Sequence, residues 1–465
     1  MRKAIVSTLI IFTTATSTSV AQTAEKPNGS GTESDPYAIA TLNNLYWLID
    51  HSHIVDGTSQ FDHWDKHYRQ TADINVSGTQ ELFSGVGLPQ IGRISNPFSG
   101  SYDGQGFRID GLTYDSEGTN TGFFGVTSGA TIRNLGLTNV DIHGYKNVGA
   151  LVGNNIGSTI INCYSTGKIS GERMVGGLVG TNQEYLDEDG NYQHSYINYS
   201  YSTCSVEAYH GDKVGGLVGH NKGGHINYSY SRGDVWGGTA VGGLVGFHEK
   251  ANLVSFILDS YSTSKVTGYT EANDVGGLVG DILESTAQAS FWDIESSSQA
   301  SSAVGDGKTT LEMKKMGTFT SAGWDFESET TNGADNYWDL DMSGVINDGY
   351  PYLWWQDGDA TSLDVSDAPV SLPDGFVIHQ NYPNPFNPST TITYDLPKRS
   401  QVTLGIYDLL GKQIKTLVKQ SQDAGNKIAV WDGTDDLGRQ VSAGVYLYQI
   451  QAGEFTQTRK MLLLK

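Results

Sequence analysis

The sequence predicts an all-β protein built from a parallel β-solenoid and a smaller C-terminal β-sandwich. Two observations carry this prediction: a glycine-rich motif recurs through the middle of the chain, and short alternating apolar runs return near its end. The composition agrees, because 58 Gly with only 11 Pro does not suit collagen. The 25 Tyr and 9 Trp supply too much core material for wholesale disorder.

The repeat is defined by a five-residue motif, Gly-x-Leu-Val-Gly, found between residues 149 and 280. Its first and last glycines are Gly149, Gly153, Gly176, Gly180, Gly215, Gly219, Gly242, Gly246, Gly276 and Gly280. A second element accompanies the motif and begins with an Ile. A tyrosine follows four residues after that Ile, and a β-branched residue follows nine residues after it. The tyrosines are Tyr164, Tyr201, Tyr230 and Tyr261.

The spacing between copies varies at only two points, as in the insertion at 181–196. A repeat with a fixed path and two variable turns is typical of a solenoid whose coils contact only their neighbours. Paired glycines exclude a helical repeat, and parallel crossovers favour a right-handed β-helix. Stacked strands would form ladders of Ile, Leu/Val and Tyr about 4.8 Å apart. The glycines would serve positions where φ is positive or where close packing forbids a Cβ.

The N-terminus predicts export. Arg2 and Lys3 precede an apolar run at 4–12, and small residues follow at Ser19 and Ala21, so residues 1–21 are typical of a signal peptide cleaved between Ala21 and Gln22. The run is about half of the roughly 20 residues that span a bilayer, so we expect no integral membrane segment after cleavage.

The charge balance excludes other classes of partner. Asp plus Glu number 51 against 29 Lys plus Arg, which gives a net charge of −22. Such a chain would repel nucleic acids and anionic lipid surfaces.

The repeat resembles a known family. The pattern is Val-Gly-Gly-Leu-Val-Gly followed by Ile-x-Asn-Cys-Tyr-Ser, and Ile160 to Ser165 is one instance of its second part. This pattern is similar to the GLUG motif of secreted bacterial surface proteins, and the similarity extends over about residues 29–356. The resemblance implies a β-helix and a surface location but no particular chemistry. We therefore assign 22–120 to an N-terminal capping region, 121–285 to the solenoid and 286–356 to a C-terminal cap.

Both flanks contain side chains suited to covering an open coil end. Leu42, Leu45, Tyr46 and Ile49 have the spacing of a short amphipathic helix. The distal flank holds Trp338, Tyr350, Tyr352, Leu353, Trp354 and Trp355. Bulky cover is the favoured interpretation of these aromatic residues, and a sugar-binding platform is the alternative.

Residues 357–374 are rich in Asp, Ser, Ala and Pro and predict a linker before a module at 375–465. Alternating runs and turn signals in that module predict an immunoglobulin-like β-sandwich. The runs are Val402, Leu404 and Ile406, then Ile428 and Val430, then Val445, Leu447 and Gln449.

The module also resembles a specific family, the C-terminal sorting domain of the type IX secretion system. The matching segments are 381–389, 431–434, 444–448 and the sorting signal at the end of the chain. That signal comprises Lys460, Met461, Leu462, Leu463, Leu464 and Lys465. The resemblance implies a secretion translocon as partner and passage through the periplasm to the cell surface or the medium. From the residues alone, the last segment predicts an apolar edge strand to which a receptor can add a strand.

Catalysis by the solenoid is disfavoured but left open. Polysaccharide hydrolases need carboxylates about 5 to 9.5 Å apart, which neighbouring coils would supply only if equivalent positions were acidic. They are not, since Asp259 stands where other copies carry Asn162, Tyr199 and Tyr228.

Metal and thiol chemistry are also disfavoured, and no cofactor is expected. His51, His53, His63 and His67, with Asp62 and Asp65, form the densest ligand-like group, but ordinary loop residues are the favoured interpretation. Asp432, Asp435 and Asp436 can hold Ca²⁺ weakly, although turn formation is favoured. Cys163 and Cys204 fall about 13 Å apart on adjacent coils, so we expect two unpaired thiols.

The leading functional hypothesis is a secreted or cell-surface, non-catalytic solenoid for adhesion or binding, with a polysaccharide or another surface ligand as partner. The alternative is a carbohydrate-active β-helix, a hydrolase or a lyase, with its site in turns such as 181–196. A structural spacer without a ligand is the third hypothesis.

Overall fold

The computed structural model describes residues 23–49, 63–79, 86–187, 190–209, 211–327, 336–341, 343–356, 375–379, 381, 384–388, 390–422 and 425–464. The chain divides into two units at residues 361 and 362. The predicted cleavage site at Ala21 and Gln22, the linker at 357–374, Lys465, His51, His53 and Asp62 lie outside the described residues.

The first unit is a parallel β-solenoid with three sheets. The first sheet contains nine strands: Tyr37–Ile39, His67–Gln70, Ser101–Asp103, Thr131–Arg133, Thr159–Ile161, Tyr196–Asn198, His225–Asn227, Phe256–Leu258 and Thr286–Gln288. The third sheet contains six: Phe124–Ser128, Val152–Ile156, Val179–Gln183, Val218–Lys222, Val245–Glu249 and Val279–Leu283.

The second sheet contains 17 short strands, because most coils contribute two or three segments that bend from one to the next. They are Ile74–Asn75, Arg108–Asp110, Thr113–Asp115, Thr119–Thr121, Gly136–His143, Lys146–Val148, Tyr164–Ser170, Arg173–Gly176, Tyr201–Ser202, Ser205–Glu207, Asp212–Gly215, Tyr230–Ser231, Val235–Gly242, Tyr261–Ser262, Val266–Gly276, Phe291–Asp293 and Asp306–Lys308.

The register confirms the predicted ladders. The five motif copies lie on successive rungs of the third sheet, where Val152, Val179, Val218, Val245 and Val279 pair in turn. Ile160, Ile197, Ile226 and Ile257 stack in the first sheet, and all four are fully buried. The repeat therefore forms one continuous hydrophobic core along the solenoid axis.

The insertion at 181–196 leaves this register undisturbed. It folds into an antiparallel pair, Tyr185–Leu186 with Tyr192–Gln193, while the strands on either side keep their parallel partners. The prediction that extra length loops outward is confirmed.

Parallel stacking extends beyond the residues assigned to the solenoid. It begins at Tyr37, inside the stretch assigned to the N-terminal cap, and continues to Lys308.

The predicted helix is present at Leu42–Ile49 and buries Leu45, Leu48 and Ile49. Its first turn is closed by Thr41, whose Oγ1 accepts a hydrogen bond from the Asn44 backbone N–H at 3.2 Å.

The motif glycines serve close packing rather than positive φ. A Cβ on Gly153 would lie 2.3 Å from the carbonyl carbon of Asn120, and one on Gly246 would lie 2.5 Å from that of Lys213. Each contacted residue belongs to a corner where the backbone is left-handed. These corner residues are Asn120, Asn147, Met174, Lys213, Ala240 and Asp274. Positive φ therefore falls on non-glycine residues, and the glycines make room for them.

A polar ladder crosses the interior of the third sheet. The Thr127 hydroxyl donates to Asn155 Oδ1, and each asparagine amide donates to the next asparagine Oδ1, with every step at 2.8 Å. The order is Thr127, Asn155, Asn182, Asn221 and His248, and all five side chains are fully buried. The last amide approaches His248 Nδ1 at 3.1 Å, and His248 Nε2 lies 3.0 Å from the Thr286 carbonyl oxygen. The interior is therefore hydrogen-bonded from coil to coil.

After the last coil the chain forms helices at Ile294–Ser297, Thr310–Met313 and Met316–Thr320. Short 3₁₀ turns follow at Asn347–Gly349 and Trp354–Gln356, and Trp338–Asp339 pairs with Tyr352–Leu353. We call residues 310–356 the lateral segment, because its side chains pack on the tyrosines of the second sheet.

The second unit has a three-stranded sheet and a four-stranded sheet, as expected for the predicted sandwich. The first comprises Val377–Ile378, Thr390–Leu396 and Gly425–Trp431. The second comprises Ser400–Tyr407, Gln413–Gln422, Gly444–Ala452 and Phe455–Leu463. All of these pairings are antiparallel.

Two strands of this unit face the core with different residues from those expected. Val402, Leu404 and Ile406 are fully buried as predicted, but in strand 444–452 the buried side chains are Tyr446, Tyr448 and Ile450, not Val445, Leu447 and Gln449. Likewise Trp431 is buried, whereas Val430 is 39% exposed. The large rings enter the core because their polar atoms find partners, such as the His379 carbonyl oxygen for Tyr448 Oη at 2.8 Å.

Candidate binding surface

The four repeat tyrosines form a stacked column on the outside of the second sheet. Ring centroids are 5.1 Å apart for Tyr164 and Tyr201, 4.8 Å for Tyr201 and Tyr230, and 5.0 Å for Tyr230 and Tyr261. The rings lie within 10° of parallel because they project from equivalent positions on successive strands. Such a column is a flat apolar surface, and the lateral segment covers it.

The cover is anchored by polar contacts. Tyr261 Oη donates to the Pro351 carbonyl oxygen at 2.5 Å, and Tyr230 Oη bonds to Gln356. Arg232 forms an ion pair with Asp348 at 2.5 Å. Most of the distal aromatic cluster therefore belongs to the protein core. Trp338 and Leu353 are fully buried, and Tyr350 and Tyr352 are nearly so. Trp355 stacks on Tyr201 at a centroid distance of 5.6 Å. Trp354 alone in that cluster is markedly exposed, at 42%, so the sugar-platform interpretation does not fit this cluster.

A second aromatic group lies at a different corner of the same sheet and remains open to solvent. Tyr209 is 65% exposed, and its ring meets that of Tyr269 at a centroid distance of 4.9 Å and an interplanar angle of 74°. Tyr269 Oη donates to Glu207 Oε1 at 2.8 Å. Burial and this neighbouring carboxylate raise the pKa of Tyr269 to about 12, so the phenol remains a donor.

The two rings meet because the rung between them carries glycine. Tyr209 and Tyr269 each follow a β-branched ladder residue by three positions, and the equivalent position of the intervening coil is Gly238. Two rungs are about 9.6 Å apart, so the rings lean towards each other over the glycine. Trp236 stands beside Glu207 on the adjacent strand and is half-buried. We call Glu207, Tyr209, Trp236 and Tyr269 the aromatic shelf.

Glu207 and Trp236 of the shelf belong to a column of outward-facing residues on successive rungs. The column comprises Asp115, His143, Ser170, Glu207, Trp236 and Thr267. Its carboxylates, Asp115 and Glu207, are three rungs apart, about 14 Å, which exceeds the separation used in glycoside hydrolysis.

A concave feature lies nearer the N-terminal end of the solenoid. A groove of about 660 Å³ runs between the loop at 86–94 and the strands at 113–128. Gln90, Arg93, Tyr114 and Asn120 supply its polar lining.

The acidic residues of the repeat and of the inserted turn are dispersed. Asp259 occupies a left-handed corner and is buried, which raises its pKa well above the usual value. Asp212 forms an ion pair with Arg173 at 2.8 Å. Asp187, in the inserted turn, accepts hydrogen bonds from the Asn191 backbone and from Gln193.

The ligand-like histidines do not share a helix face. His63 lies in a turn and packs on Trp47 at 4.3 Å, whereas His67 begins a strand and its Nδ1 lies 2.8 Å from Ser101 Oγ. Within the described ranges, no group of three His, Cys, Asp or Glu side chains is placed to hold a metal ion.

The three C-terminal aspartates bind different groups. Asp432 pairs with Lys415 at 2.8 Å, Asp435 with Arg439 at 2.7 Å, and Asp436 accepts from the Thr416 backbone. Weak Ca²⁺ binding stays a prediction.

Cys163 and Cys204 are free, buried thiols. The pairing of Ser165 with Ser202 places them four positions apart along adjacent coils, as the repeat predicts. Burial raises the pKa of Cys163 to about 12 and that of Cys204 to about 11, so both remain protonated at neutral pH.

The sorting signal forms the end of an edge strand, Phe455–Leu463. Met461 and Leu463 point into the sandwich core, whereas Leu462 and Leu464 are 36% and 47% exposed. The Leu464 backbone N–H donates to the Phe386 carbonyl oxygen at 2.8 Å. Alternate side chains of the sorting signal are thus buried in the sandwich core and exposed to solvent.

Comparison with known proteins agrees with this architecture. Residues 380–464 match the secretion system C-terminal sorting domain, and residues 144–170 match the GLUG motif. The chain is therefore a secreted or cell-surface β-solenoid protein with a sorting domain for the type IX secretion machinery. In the part of the chain that the structure describes, no helix is long and apolar enough to cross a membrane.

The curated relatives are much longer proteins. Halomucin of Haloquadratum walsbyi is 33% identical over 162 residues, which are 33% of this chain and 2% of the relative. The immunoglobulin A1 protease of Streptococcus sanguinis is 28% identical over 240 residues, which are 50% of this chain and 12% of the relative.

One solved structure shares the fold. A Bacteroides ovatus protein, named as a member of the immunoglobulin A1 proteases, superposes with a TM-score of 0.53 at 21% identity. The match covers 72% of this chain and 96% of that one.

Sequence reasoning missed the aromatic shelf, although a signal was available. The third residue after each β-branched ladder position reads Tyr145, Glu172, Tyr209, Gly238 and Tyr269. This series predicts outward-facing tyrosines on alternate coils, with a glycine on the coil between Tyr209 and Tyr269.

Proposed function

We propose that this exported chain is a non-catalytic binding protein whose solenoid attaches to a polysaccharide at or beyond the cell surface. The observation that carries the proposal is the aromatic shelf, where Tyr209 is 65% exposed to water and contacts Tyr269, which is hydrogen-bonded to the Glu207 carboxylate. Exposed aromatic surface is unfavourable in water, so an outward-facing group of neighbouring aromatic residues favours a ligand over a spacer.

Two further observations support binding without catalysis. The outward carboxylates of the column that contains Glu207 and Trp236 are about 14 Å apart, too far for a hydrolytic pair. Asp187, one of the carboxylates in the inserted turn, accepts hydrogen bonds from within the turn itself. A solenoid also suits an extended ligand, because its outer face repeats every coil.

The test is to incubate the chain with a panel of soluble and insoluble polysaccharides and to measure retention and chain ends together. We expect saturable retention without new reducing or unsaturated ends. New ends would establish the alternative, a hydrolase or lyase. Lack of retention on every polysaccharide would refute the proposal in favour of a structural spacer.

A further inference from the structure

We infer that the aromatic shelf binds an uncharged pyranose unit of a polysaccharide chain, with Tyr209 as the stacking ring and Glu207 as a hydroxyl acceptor. This inference rests on the proposed function, and it adds the site and the chemical class of the ligand.

The geometry suits the two faces of a sugar. One side of a pyranose ring presents C–H groups, which pack against the electron-rich face of an aromatic ring. Tyr209 is 65% exposed and its ring contacts that of Tyr269 at an interplanar angle of 74°, so much of the Tyr209 side chain is open to a ligand. The hydroxyl groups at the sugar rim need acceptors. The Glu207 carboxylate has about four acceptor positions, and Tyr269 is hydrogen-bonded to one of its oxygens.

The solenoid face around the shelf suits a chain. The rings of Tyr209 and Tyr269 meet at a centroid distance of 4.9 Å and form one aromatic group. Trp236 lies on the rung between their strands, beside Glu207. Because the outer face repeats with every coil, a polysaccharide bound at this group can continue along the neighbouring rungs.

Charge selects an uncharged ligand. Glu207 belongs to the shelf, Asp234 is exposed two positions before Trp236, and the whole chain carries −22. Two exposed lysines share the column of Asp234, with Lys265 on the next coil and Lys168 two coils earlier, and Arg173 is paired with Asp212. A uronate or sulfate group on Tyr209 would approach the Glu207 carboxylate, and this like charge opposes binding.

A cationic ligand is the competing possibility for two tyrosines and a carboxylate. Such ligands are held best when several ring faces surround the charge. Here one ring meets the edge of the other at 74°, so the pair presents a shelf and not an enclosure. The open geometry favours the sugar.

The experiment compares Tyr209→Ala, Tyr209→Phe and Glu207→Gln with the unaltered full chain on the polysaccharide that the chain retains best. The control is Tyr192→Ala, which removes a ring 40% exposed in the inserted hairpin. We expect Tyr209→Ala to weaken binding about tenfold or more, while Tyr209→Phe stays within about threefold because the ring is kept. Glu207→Gln should weaken binding several-fold, and Tyr192→Ala should leave it unchanged. Equal urea midpoints for all variants show that each one folds.

Each contrary outcome is distinct. If the chain binds polysaccharide and Tyr209→Ala binds equally well, the shelf assignment is wrong and the proposed function stands. If polygalacturonate or alginate binds more tightly than neutral glucans, xylans and mannans, the charge argument is refuted. If a trimethyl-lysine peptide binds and no glycan does, both the inference and the proposed function fail.

Discussion

The buried polar ladder makes the substitution Asn182→Ala the most direct test of how the coils are joined. The Asn182 side chain is fully buried, accepts a hydrogen bond from Asn155 and donates one to Asn221, each at 2.8 Å. Alanine removes both bonds and leaves two buried polar groups facing a space that an amide occupied. The ladder is then cut in the middle of the repeat.

The magnitude follows from the groups left behind. An orphaned buried donor or acceptor costs about 1–3 kcal/mol, so two of them predict a loss of about 2–6 kcal/mol in the free energy of unfolding. Asn155 Nδ2 also donates to the Ser158 carbonyl oxygen, at 3.3 Å, so the lower half of that range is the better expectation.

Urea unfolding followed by circular dichroism and tryptophan fluorescence measures the effect. With a slope of about 2–3 kcal/mol per molar urea, we expect the midpoint to fall by about 1 M. Gln183→Ala is the matched control, because Gln183 is the next residue on the same strand, faces outward and makes one such bond at 3.0 Å. The reasoning is refuted if Asn182→Ala costs no more than this control.

Three further predictions follow from the corners and the end of the ladder. Burial lowers the pKa of His248 to about 4, so the unfolded chain binds a proton below about pH 6.5 while the folded chain does not. Stability should therefore fall by up to about 3 kcal/mol from pH 6.5 to 4, and His248→Asn should abolish most of this loss in urea titrations. Asp259 has a raised pKa, so it destabilises the fold above its folded pKa and less so as pH falls. Asp259→Asn should raise the thermal midpoint at pH 7 and have little effect near pH 3, and equal gains at both would contradict this account. Gly246→Ala places a Cβ 2.4 Å from the Val214 nitrogen and should destabilise strongly in calorimetry, whereas Gly317→Ala, with open space around it, should be neutral or stabilising.

The solenoid could be predicted in detail because its information is local and repeated. The constant nine-residue interval from Ile to the β-branched residue fixes which positions stack, and the structure pairs Ile160 with Ile197 and Ile169 with Val206 accordingly. Period-two alternation then determines which side chains enter the core. The same reasoning predicted the free thiols Cys163 and Cys204, since their offset follows from register alone.

The sandwich shows where pattern reasoning fails. In strand 444–452 both faces carry apolar residues, so alternation alone does not decide which face is buried. Tyr446 and Tyr448 face the core because the surrounding chain accepts hydrogen bonds from their hydroxyl groups.

The amino-acid order of this chain was sufficient to determine the stacking of its coils and its route of export, since both depend on short motifs that act wherever they occur. The fate of its aromatic residues was decided only by folding. Tyr261 is sealed beneath a segment that begins some fifty residues later, whereas Tyr209 stays exposed and meets Tyr269 across a glycine rung. Whether a ring becomes core or binding surface depends on what packs over it, and that contact joins residues far apart in the chain.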